Sequence, residues 1–480
     1  MQDHLIPGKG IISGISWSAF ERLSVQGIQF VVFVLMARIL VPTDYGLVSM
    51  LAFFIVIAQL IAEGGLSQAI IRKLDRTDED CSTAFWVNLA IGIGLYLILF
   101  IAAPLVAWFY EETALTNLLR VLALCIVIQS TLVVHRAILT SRLDFKTQAK
   151  STLVGALMSG LVGLIMAYNG FGAWALVGLQ LTNQVATAAT LWIVTDWRPK
   201  WQFSSCAFRD LFGLGSKLLA CNVLDSLFQS LYTLTIGKVF SAYALGCYSN
   251  ARQLGSITSE SLSRVVQRAT YPMFCNFQND IERLRNGVRA YLRLATFFIA
   301  PLMLGLAAIA EPLTLALIGP QWLYTARLLR ILCFSFLFFP LNSINYMILE
   351  IKGEGGTYLK LQTFIVVSGL VILFVMLPFG LSAVCCGLFA NSAIGYMVNS
   401  RVAGAKINLG FIRQVKSILP ILINATIMGI VVYGVQTILF GEWLRVGVGI
   451  LVGLLSYIGL SVVFQTSTCE LVVELLRKKK

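Results

Sequence analysis

Charged residues are scarce in this chain. Asp, Glu, Lys and Arg make up 12% of its 480 residues, whereas 58% of the residues are hydrophobic. Soluble domains usually carry about 25% charged residues. No segment is polar and long enough to form a nucleotide-binding domain, and no phosphate-binding glycine loop or nucleophile elbow occurs. The composition therefore excludes a soluble protein and direct hydrolysis of ATP.

Histidine is almost absent, and cysteine shows no regular spacing. The two histidines, His4 and His135, lie far apart in the sequence. The ten cysteines are scattered, mostly within apolar stretches, and none shows the spacing of metal ligands. We therefore expect no metal site, no cofactor and no catalytic residues, and we expect the cysteines to be reduced thiols.

Long apolar stretches are abundant. A helix that crosses a hydrocarbon core of ~30 Å needs about 20 residues, and long continuous runs favour helices over barrel strands. Together the runs predict an all-α polytopic membrane protein with about 14 transmembrane helices. The predicted spans are 12–40, 46–70, 83–107, 118–139, 151–168, 173–195, 213–239, 245–272, 288–310, 326–349, 360–377, 381–401, 415–439 and 444–465.

The positive charges are distributed unevenly along these spans. If the N-terminus is cytoplasmic, 27 of the 36 Lys and Arg residues fall on the cytoplasmic side and six on the other side. This asymmetry is the positive-inside pattern, and it predicts that both termini are cytoplasmic. The net charge of +13 is thus explained by the orientation of the chain in the membrane. We therefore expect the basic residues to contact anionic membrane lipids and not nucleic acid.

Short matches at an offset near 200 residues indicate an internal repeat. Arg38 and Gly46 are eight residues apart, as are Lys238 and Gly246, and three further short matches follow in the same order. An even number of spans separates the copies, so the repeats are parallel, an arrangement found in transporters that open alternately to each side. We therefore expect an N-terminal six-helix half at 1–210, a C-terminal six-helix half at 211–405, and two extra helices with a basic cytoplasmic tail at 406–480.

Two segments carry a family resemblance. Residues 37–46, Ala-Arg-Ile-Leu-Val-Pro-Thr-Asp-Tyr-Gly, resemble the stretch after the first helix of bacterial polysaccharide exporters. Residues 62–73, Ala-Glu-Gly-Gly-Leu-Ser-Gln-Ala-Ile-Ile-Arg-Lys, are similar to that family's next landmark, at the cytoplasmic end of the second helix. The chain thus resembles the Wzx-type flippases for lipid-linked oligosaccharides, which belong to the MOP superfamily together with the lipid II flippase MurJ and the MATE multidrug exporters.

The resemblance implies a MATE/MurJ-like fold in the bacterial inner membrane. The implied function is translocation, by alternating access, of an undecaprenyl-diphosphate-linked repeat unit of O-antigen, capsule or exopolysaccharide. The implied partners are the lipid-linked glycan and membrane lipids. A proton or sodium ion that couples transport, and other glycan-assembly proteins, are further candidates.

Polar residues inside the predicted spans mark the candidate site. A charge at bilayer depth costs ~2.5–3.5 kcal/mol on insertion scales, so it normally faces protein or a water-filled cavity. These residues cluster on the first, seventh and eighth spans. As substrate-binding residues we predict Arg22, Lys217, Asn222 and Arg252. As coupling or gating residues we predict Glu21, Glu63, Asp225 and Glu260.

Several of these residues also have a purely structural interpretation. Glu260 and Arg264 are four residues apart and could form a local ion pair. Lys217 lies near the cytoplasmic end of its span and could snorkel to the interface. Glu63, which precedes two glycines, is interpreted mainly as a contact at a helix end.

Two other functions remain open at this point. A MATE-like, cation-coupled multidrug exporter would have a cavity dominated by carboxylates, whereas the predicted spans carry at least as many cations. A membrane enzyme of glycan assembly would bring a long outer loop with catalytic Arg or His, but the longest predicted outer loop is only about residues 310–326. We therefore expect a transporter and not an enzyme.

Overall fold

The computed structural model describes residues 9–64, 66–73, 76–142, 144–205, 209, 226 and 230–464. The side chains at 9–23, 68, 72, 261, 262, 264–266, 268, 269 and 272 lie outside this description. Every regular element in the described part is a helix. The prediction of an all-α protein is therefore confirmed. The chain divides into two compact units, Met1–Gly246 and Cys247–Lys480.

The first unit contains nine helices, a helical stretch over 230–239 and the first turn of a tenth helix. The nine helices are α1 (Lys9–Ile39), α2 (Pro42–Glu63), α3 (Leu66–Arg72), α4 (Asp78–Tyr110), α5 (Leu115–Leu122), α6 (Leu124–Ser130), α7 (Val133–Ser141), α8 (Phe145–Tyr168) and α9 (Ala173–Val194).

The tenth helix, α10 (Ala242–Asn276), continues into the second unit. The helices that follow it are α11 (Ile281–Ala308), α12 (Ala310–Ile318), α13 (Leu323–Phe336), α14 (Phe339–Ile351), α15 (Gly355–Met376), α16 (Leu381–Ala405), α17 (Phe411–Gln436) and α18 (Glu442–Val463). Short 3₁₀ turns, Pro320–Trp322 and Leu377–Phe379, precede α13 and α16.

Ten helical segments in the described part are long and apolar enough to cross a membrane. Consecutive short helices form two of these segments, Leu115–Ser141 and Pro320–Ile351. In α1, residues Ser24–Ile39 form a shorter apolar stretch. The chain is therefore a multi-pass membrane protein. A total of fourteen spans stays a prediction, because most of the predicted seventh span lies outside the described residues, and so does the boundary after residue 210.

Local sequence signals explain where the helices begin and end. In α2, Pro42 occupies the first turn, and the Asp44 carboxylate accepts a hydrogen bond from the Val41 amide at 3.2 Å. The helix ends at Gly64, whose φ of 57° suits glycine. In α4, Thr77 and Asp80 form a reciprocal capping box with hydrogen bonds of 3.2 and 2.9 Å. These caps fix the position of both helices in the sequence.

The two glycines of the internal repeat meet in space. The first turns of α2 and α10 cross so closely that a Cβ atom on Gly46 would lie 1.7 Å from the Ala242 carbonyl oxygen. A Cβ atom on Gly246 would lie 1.8 Å from the Pro42 carbonyl oxygen. Only glycine permits this approach at either position. The reciprocal geometry gives a physical reason for the matching spacing in the sequence.

An ion pair lies near this crossing. The Lys238 Nζ atom is 2.8 Å from the Glu111 Oε1 atom, and the ammonium group also lies 5.3 Å from the centroid of the Phe109 ring. The hydrogen bond from Lys238 lowers the pKa of the Glu111 carboxyl group from its ordinary value. Thus the end of α4 is linked to the helical stretch that precedes α10.

The core of the second unit combines apolar packing with buried amides. Its main cluster includes Phe274, Leu284, Tyr291, Leu341 and Tyr396, each at most 2% exposed. Beside it, Asn345 on α14 and Gln414 on α17 exchange two side-chain hydrogen bonds, of 3.2 and 2.9 Å. Both amides are fully buried. Because buried polar groups need partners, this exchange joins α14 to α17.

Candidate functional site

The least hydrophobic of the described helices is α10. Its polar residues recur every three or four positions, which is the spacing of a single helix face. All six of the residues that define this α10 stripe are at least partly exposed. The stripe consists of Ser249, Arg252, Ser256, Glu260, Gln267 and Tyr271. The backbone of Arg264 continues the same spacing.

One side of α10 is fixed against α13. The Ser259 hydroxyl donates a hydrogen bond of 2.7 Å to the Phe336 carbonyl oxygen. A Cβ atom on Gly255 would lie 2.6 Å from the Phe336 ring, so the two helices touch closely here. Ser259 follows Arg252 by two helical turns, so the α10 stripe runs directly alongside this contact. A polar stripe on a membrane helix is stable only where it faces protein or a water-filled cavity.

Arg252 is the cation of the stripe. Its side chain is partly exposed and interacts with the buried hydroxyl of Tyr248, one turn earlier on the helix. Among the described residues, no carboxylate forms an ion pair with Arg252. The neutral Tyr248 hydroxyl thus helps to position the guanidinium. Glu260, two turns further along the stripe, is partly exposed and already engaged with a neighbour.

Glu63 belongs to a different cluster, in the first unit. Its Oε1 atom accepts a hydrogen bond of 2.7 Å from the Gln129 amide on α6. The Arg136 guanidinium on α7 lies within electrostatic range of the same carboxylate. These contacts tie the end of α2 to α6 and α7. They account for Glu63 as a contact at a helix end, and a gating role for it stays a prediction.

The structure places the other predicted residues as follows. Glu21 and Arg22 lie on the backbone of α1, and their side chains are outside the described set. Lys217, Asn222 and Asp225 lie outside the described residues. Of the eight predicted site residues, the structure therefore brings two, Arg252 and Glu260, together on one helix face.

Some polar residues of the site were not predicted from the sequence. Ser249, Ser256, Gln267 and Tyr271 complete the α10 stripe, and their three- or four-residue spacing was a usable signal. On α9, Gln180 is exposed and Gln184 partly exposed, one turn apart on the same face. These side chains are uncharged amides and hydroxyls, so they stand out less from an apolar run than Lys, Arg, Asp and Glu do.

At the C-terminal part of α10 the stripe enters a cleft in the second unit. The cleft has a volume of about 510 Å³. Residues of α10, α14 and α15 line it: Gln267, Tyr271, Ser343, Tyr346, Met347, Glu350 and Tyr358. The charge distribution predicts that this end of the unit is cytoplasmic. Hence the stripe joins a cation, Arg252, to an aromatic and polar cleft.

Residues 35–327 match the family described as polysaccharide biosynthesis protein. The chain belongs to this family. Among its relatives, the teichuronic acid biosynthesis protein TuaB of Bacillus subtilis is 25% identical over 432 residues, which is 89% of each chain. The succinoglycan biosynthesis transport protein ExoT of Rhizobium meliloti is 26% identical over 330 residues, covering 69% of this chain and 67% of ExoT. The predicted family is thereby confirmed.

Solved structures share the fold. The lipid II flippase MurJ in an inward closed conformation superposes with a TM-score of 0.74 at 16% identity, covering 94% of this chain and 98% of MurJ. An inward-facing multidrug resistance transporter of the MATE family has a TM-score of 0.61 at 17% identity, covering 81% of this chain and 98% of the transporter. The prediction of a MATE/MurJ-like fold is confirmed.

Proposed function

We propose that this family member carries a lipid-linked oligosaccharide from the cytoplasmic to the outer leaflet of a bacterial inner membrane, by alternating access. The observation that carries the proposal is the α10 stripe, a polar face that includes the cation Arg252 on a long helix of this multi-pass protein. Family membership, the relatives named for polysaccharide biosynthesis and transport, and the fold shared with a lipid II flippase all support it.

The chemistry of such a cargo suits the stripe. An undecaprenyl-diphosphate-linked glycan combines an anionic diphosphate, a polar chain of sugars and a long apolar tail. Arg252 offers a planar guanidinium that can bind two phosphate oxygens at once, which a lysine cannot do. The serines, the amide and the tyrosine of the stripe offer hydrogen bonds to sugar hydroxyls. The apolar tail requires no site on the stripe, because it is soluble in the surrounding lipid.

The orientation and the energy source are part of the proposal. The excess of Lys and Arg on one side supports cytoplasmic termini. Glu260 is a described candidate for a proton- or sodium-sensitive carboxylate, and Glu21 and Asp225 are sequence candidates for the same role. A gradient-coupled mechanism would use one of them, because alternating access without ATP needs another source of free energy. The protein acts in this proposal as a transporter and not as an enzyme.

Replacement of Arg252 tests the proposal in cells. In a host strain that lacks the gene, we expect Arg252→Ala to lower the rate of glycan export about 10- to 100-fold, as expected for one lost contact to a charged group. Arg252→Lys keeps the charge without the bidentate geometry and should retain intermediate export. The readouts are the amount of surface glycan and of lipid-linked precursor, each normalised to the protein found in the membrane.

The matched control is Arg283→Ala, which removes an exposed cation that pairs with Asp280 at 3.1 Å. It should export at the wild-type rate. Wild-type export by Arg252→Ala, at equal protein levels, would refute the role of the α10 stripe in cargo binding.

A further inference from the structure

The cleft at the end of the α10 stripe has the dimensions of a ligand site. Its volume of about 510 Å³ falls within the range of ~300–1,000 Å³ that is common for small-molecule pockets. Three helices, α10, α14 and α15, contribute its walls. All of its described lining residues belong to the second unit.

Tyrosines form much of the cleft. The rings of Tyr346 and Tyr358 pack against each other with centroids 4.9 Å apart. Tyr271 adds a third ring from α10 and is 40% exposed. Tyrosine combines a flat apolar face with a hydroxyl group at its tip, so these walls suit a ligand that has both apolar C–H faces and hydroxyl groups.

Polar groups occupy the rest of the lining. Gln267 offers an amide, Ser343 a hydroxyl group and Glu350 an exposed carboxylate. Below them, the Tyr291 hydroxyl lies beside Ser343 and Gln267. Tyr291 is only 2% exposed. The Tyr291 hydroxyl thus supports the lining side chains Ser343 and Gln267 from within the core.

The described lining of the cleft carries one charge, and that charge is negative. No Lys or Arg occurs among the lining residues that the structure describes, and the single charged group is the Glu350 carboxylate. Carboxylates, amides and hydroxyls next to aromatic rings form the donor and acceptor set that recognises neutral sugars. We propose that the cleft binds sugar residues of the cargo glycan and selects among glycans. This proposal rests on the proposed transport function.

The spacing along α10 sets the size of the cargo. Arg252 and Gln267 are 15 residues apart, which corresponds to ~22 Å along a helix. A diphosphate at Arg252 and a sugar in the cleft can belong to one molecule only if the glycan is an extended oligosaccharide. The cleft therefore selects for glycans of several sugars over single sugars.

A binding experiment tests this inference with the full-length protein in lipid nanodiscs. The probe is the water-soluble oligosaccharide that mild acid releases from the host's lipid-linked fraction, and saturation-transfer NMR measures its Kd. We expect Tyr271→Ala and Glu350→Gln to raise this Kd at least about tenfold, the effect of one lost hydrogen bond or ring contact. Inorganic pyrophosphate should not displace the oligosaccharide.

The controls are Tyr168→Ala and Glu282→Gln, which remove an exposed tyrosine and an exposed carboxylate elsewhere. Both should bind as the wild type does. The inference is overturned if the oligosaccharide does not bind, if all four variants bind it equally, or if pyrophosphate displaces it.

A flipping assay on the same preparations separates the two proposals. Transport of the lipid-linked glycan without oligosaccharide binding at the cleft would reject the cleft and keep the transport function. Binding at the cleft without any transport would keep the cleft as a sugar site and reject the transport function.

Discussion

At the scale of single residues, this protein uses its few membrane-embedded polar groups in two ways. Some are fully paired: Asn345 with Gln414, and Glu63 with Gln129. Others lie at the α10 stripe and the cleft, as the partly exposed Arg252 does beside Tyr248 and as the Tyr291 hydroxyl does beside Ser343 and Gln267. Polar groups that are paired with each other hold helices together, and polar groups that line a stripe or a cleft can bind a ligand.

The buried amide exchange gives a prediction for stability. Asn345→Ala removes both hydrogen bonds of the exchange and leaves the buried Gln414 Oε1 atom without its Asn345 donor, while Gln414 Nε2 keeps its bond to the Leu409 carbonyl oxygen; the free energy of unfolding should fall by about 1–3 kcal/mol. Thermal unfolding of the purified protein in detergent measures the loss. Asn279→Ala, at an exposed position between α10 and α11, is the control and should be neutral. Equal melting temperatures for the two variants would show that the exchange does not stabilise the second unit.

Charged residues within apolar runs were easy to select from the sequence as candidates, whereas most uncharged polar residues were not. Arg252 and Glu260 could be found because a charge within an apolar run is conspicuous. Gln267, Ser343 and Tyr291 could not be assigned to one place, because their meeting depends on how α10, α11 and α14 pack. Hydropathy contains no information on that packing.

At the scale of helices, the contrast between α10 and its neighbours is the main functional signal. Most described helices are apolar enough to face lipid, whereas α10 has one face buried against α13 and one polar face. The hydropathy pattern predicted a membrane span at 245–272; a helix is observed at Ala242–Asn276, but it is not among the ten segments of the described part that are apolar enough to cross a membrane. The three- or four-residue spacing of its polar residues indicates a polar face on this helix, which the average hydropathy does not reveal.

The crossing of α2 and α10 provides a prediction at this scale. Gly46→Ala and Gly246→Ala each place a methyl group within 2 Å of a backbone carbonyl oxygen, which cannot rotate away. Since overpacking costs typically ~1–3 kcal/mol, we expect a loss of stability of that size or a separation of the two helix ends.

The measurement combines thermal unfolding with cross-linking of a cysteine pair placed near the crossing. Gly94→Ala is the control, because a Cβ atom at Gly94 meets nothing within 4 Å. Wild-type stability and cross-linking in both crossing variants would show that the close approach is not required.

At the scale of the whole molecule, elementary arguments from composition were sufficient for the fold class. An apolar composition with long continuous runs leaves helical bundles as the main possibility, because a membrane requires every backbone group to find its partner within the protein. The repeat at an offset near 200 residues predicted a transporter built from halves. The comparison with MurJ and MATE structures confirms the fold, and the division into six-helix halves stays a prediction.

The orientation of the chain in the membrane and the identity of its cargo are two further properties of the whole molecule. The charge asymmetry predicts the direction of the chain in the membrane. Family membership connects the chain to polysaccharide biosynthesis, and our proposal assigns the recognition of its sugars to the cleft between α10, α14 and α15. A transport measurement on the whole protein addresses this directly.

Reconstitution in liposomes tests the central claim. Purified protein is inserted into vesicles that contain a labelled undecaprenyl-diphosphate-linked oligosaccharide, with and without an imposed proton or sodium gradient. Accessibility of the label to an enzyme added outside reports movement between leaflets. We predict movement that requires the wild-type protein and falls at least about tenfold in Arg252→Ala, the loss of one charged contact. Vesicles in which the glycan stays in its original leaflet, while a cationic drug is transported, would contradict the account.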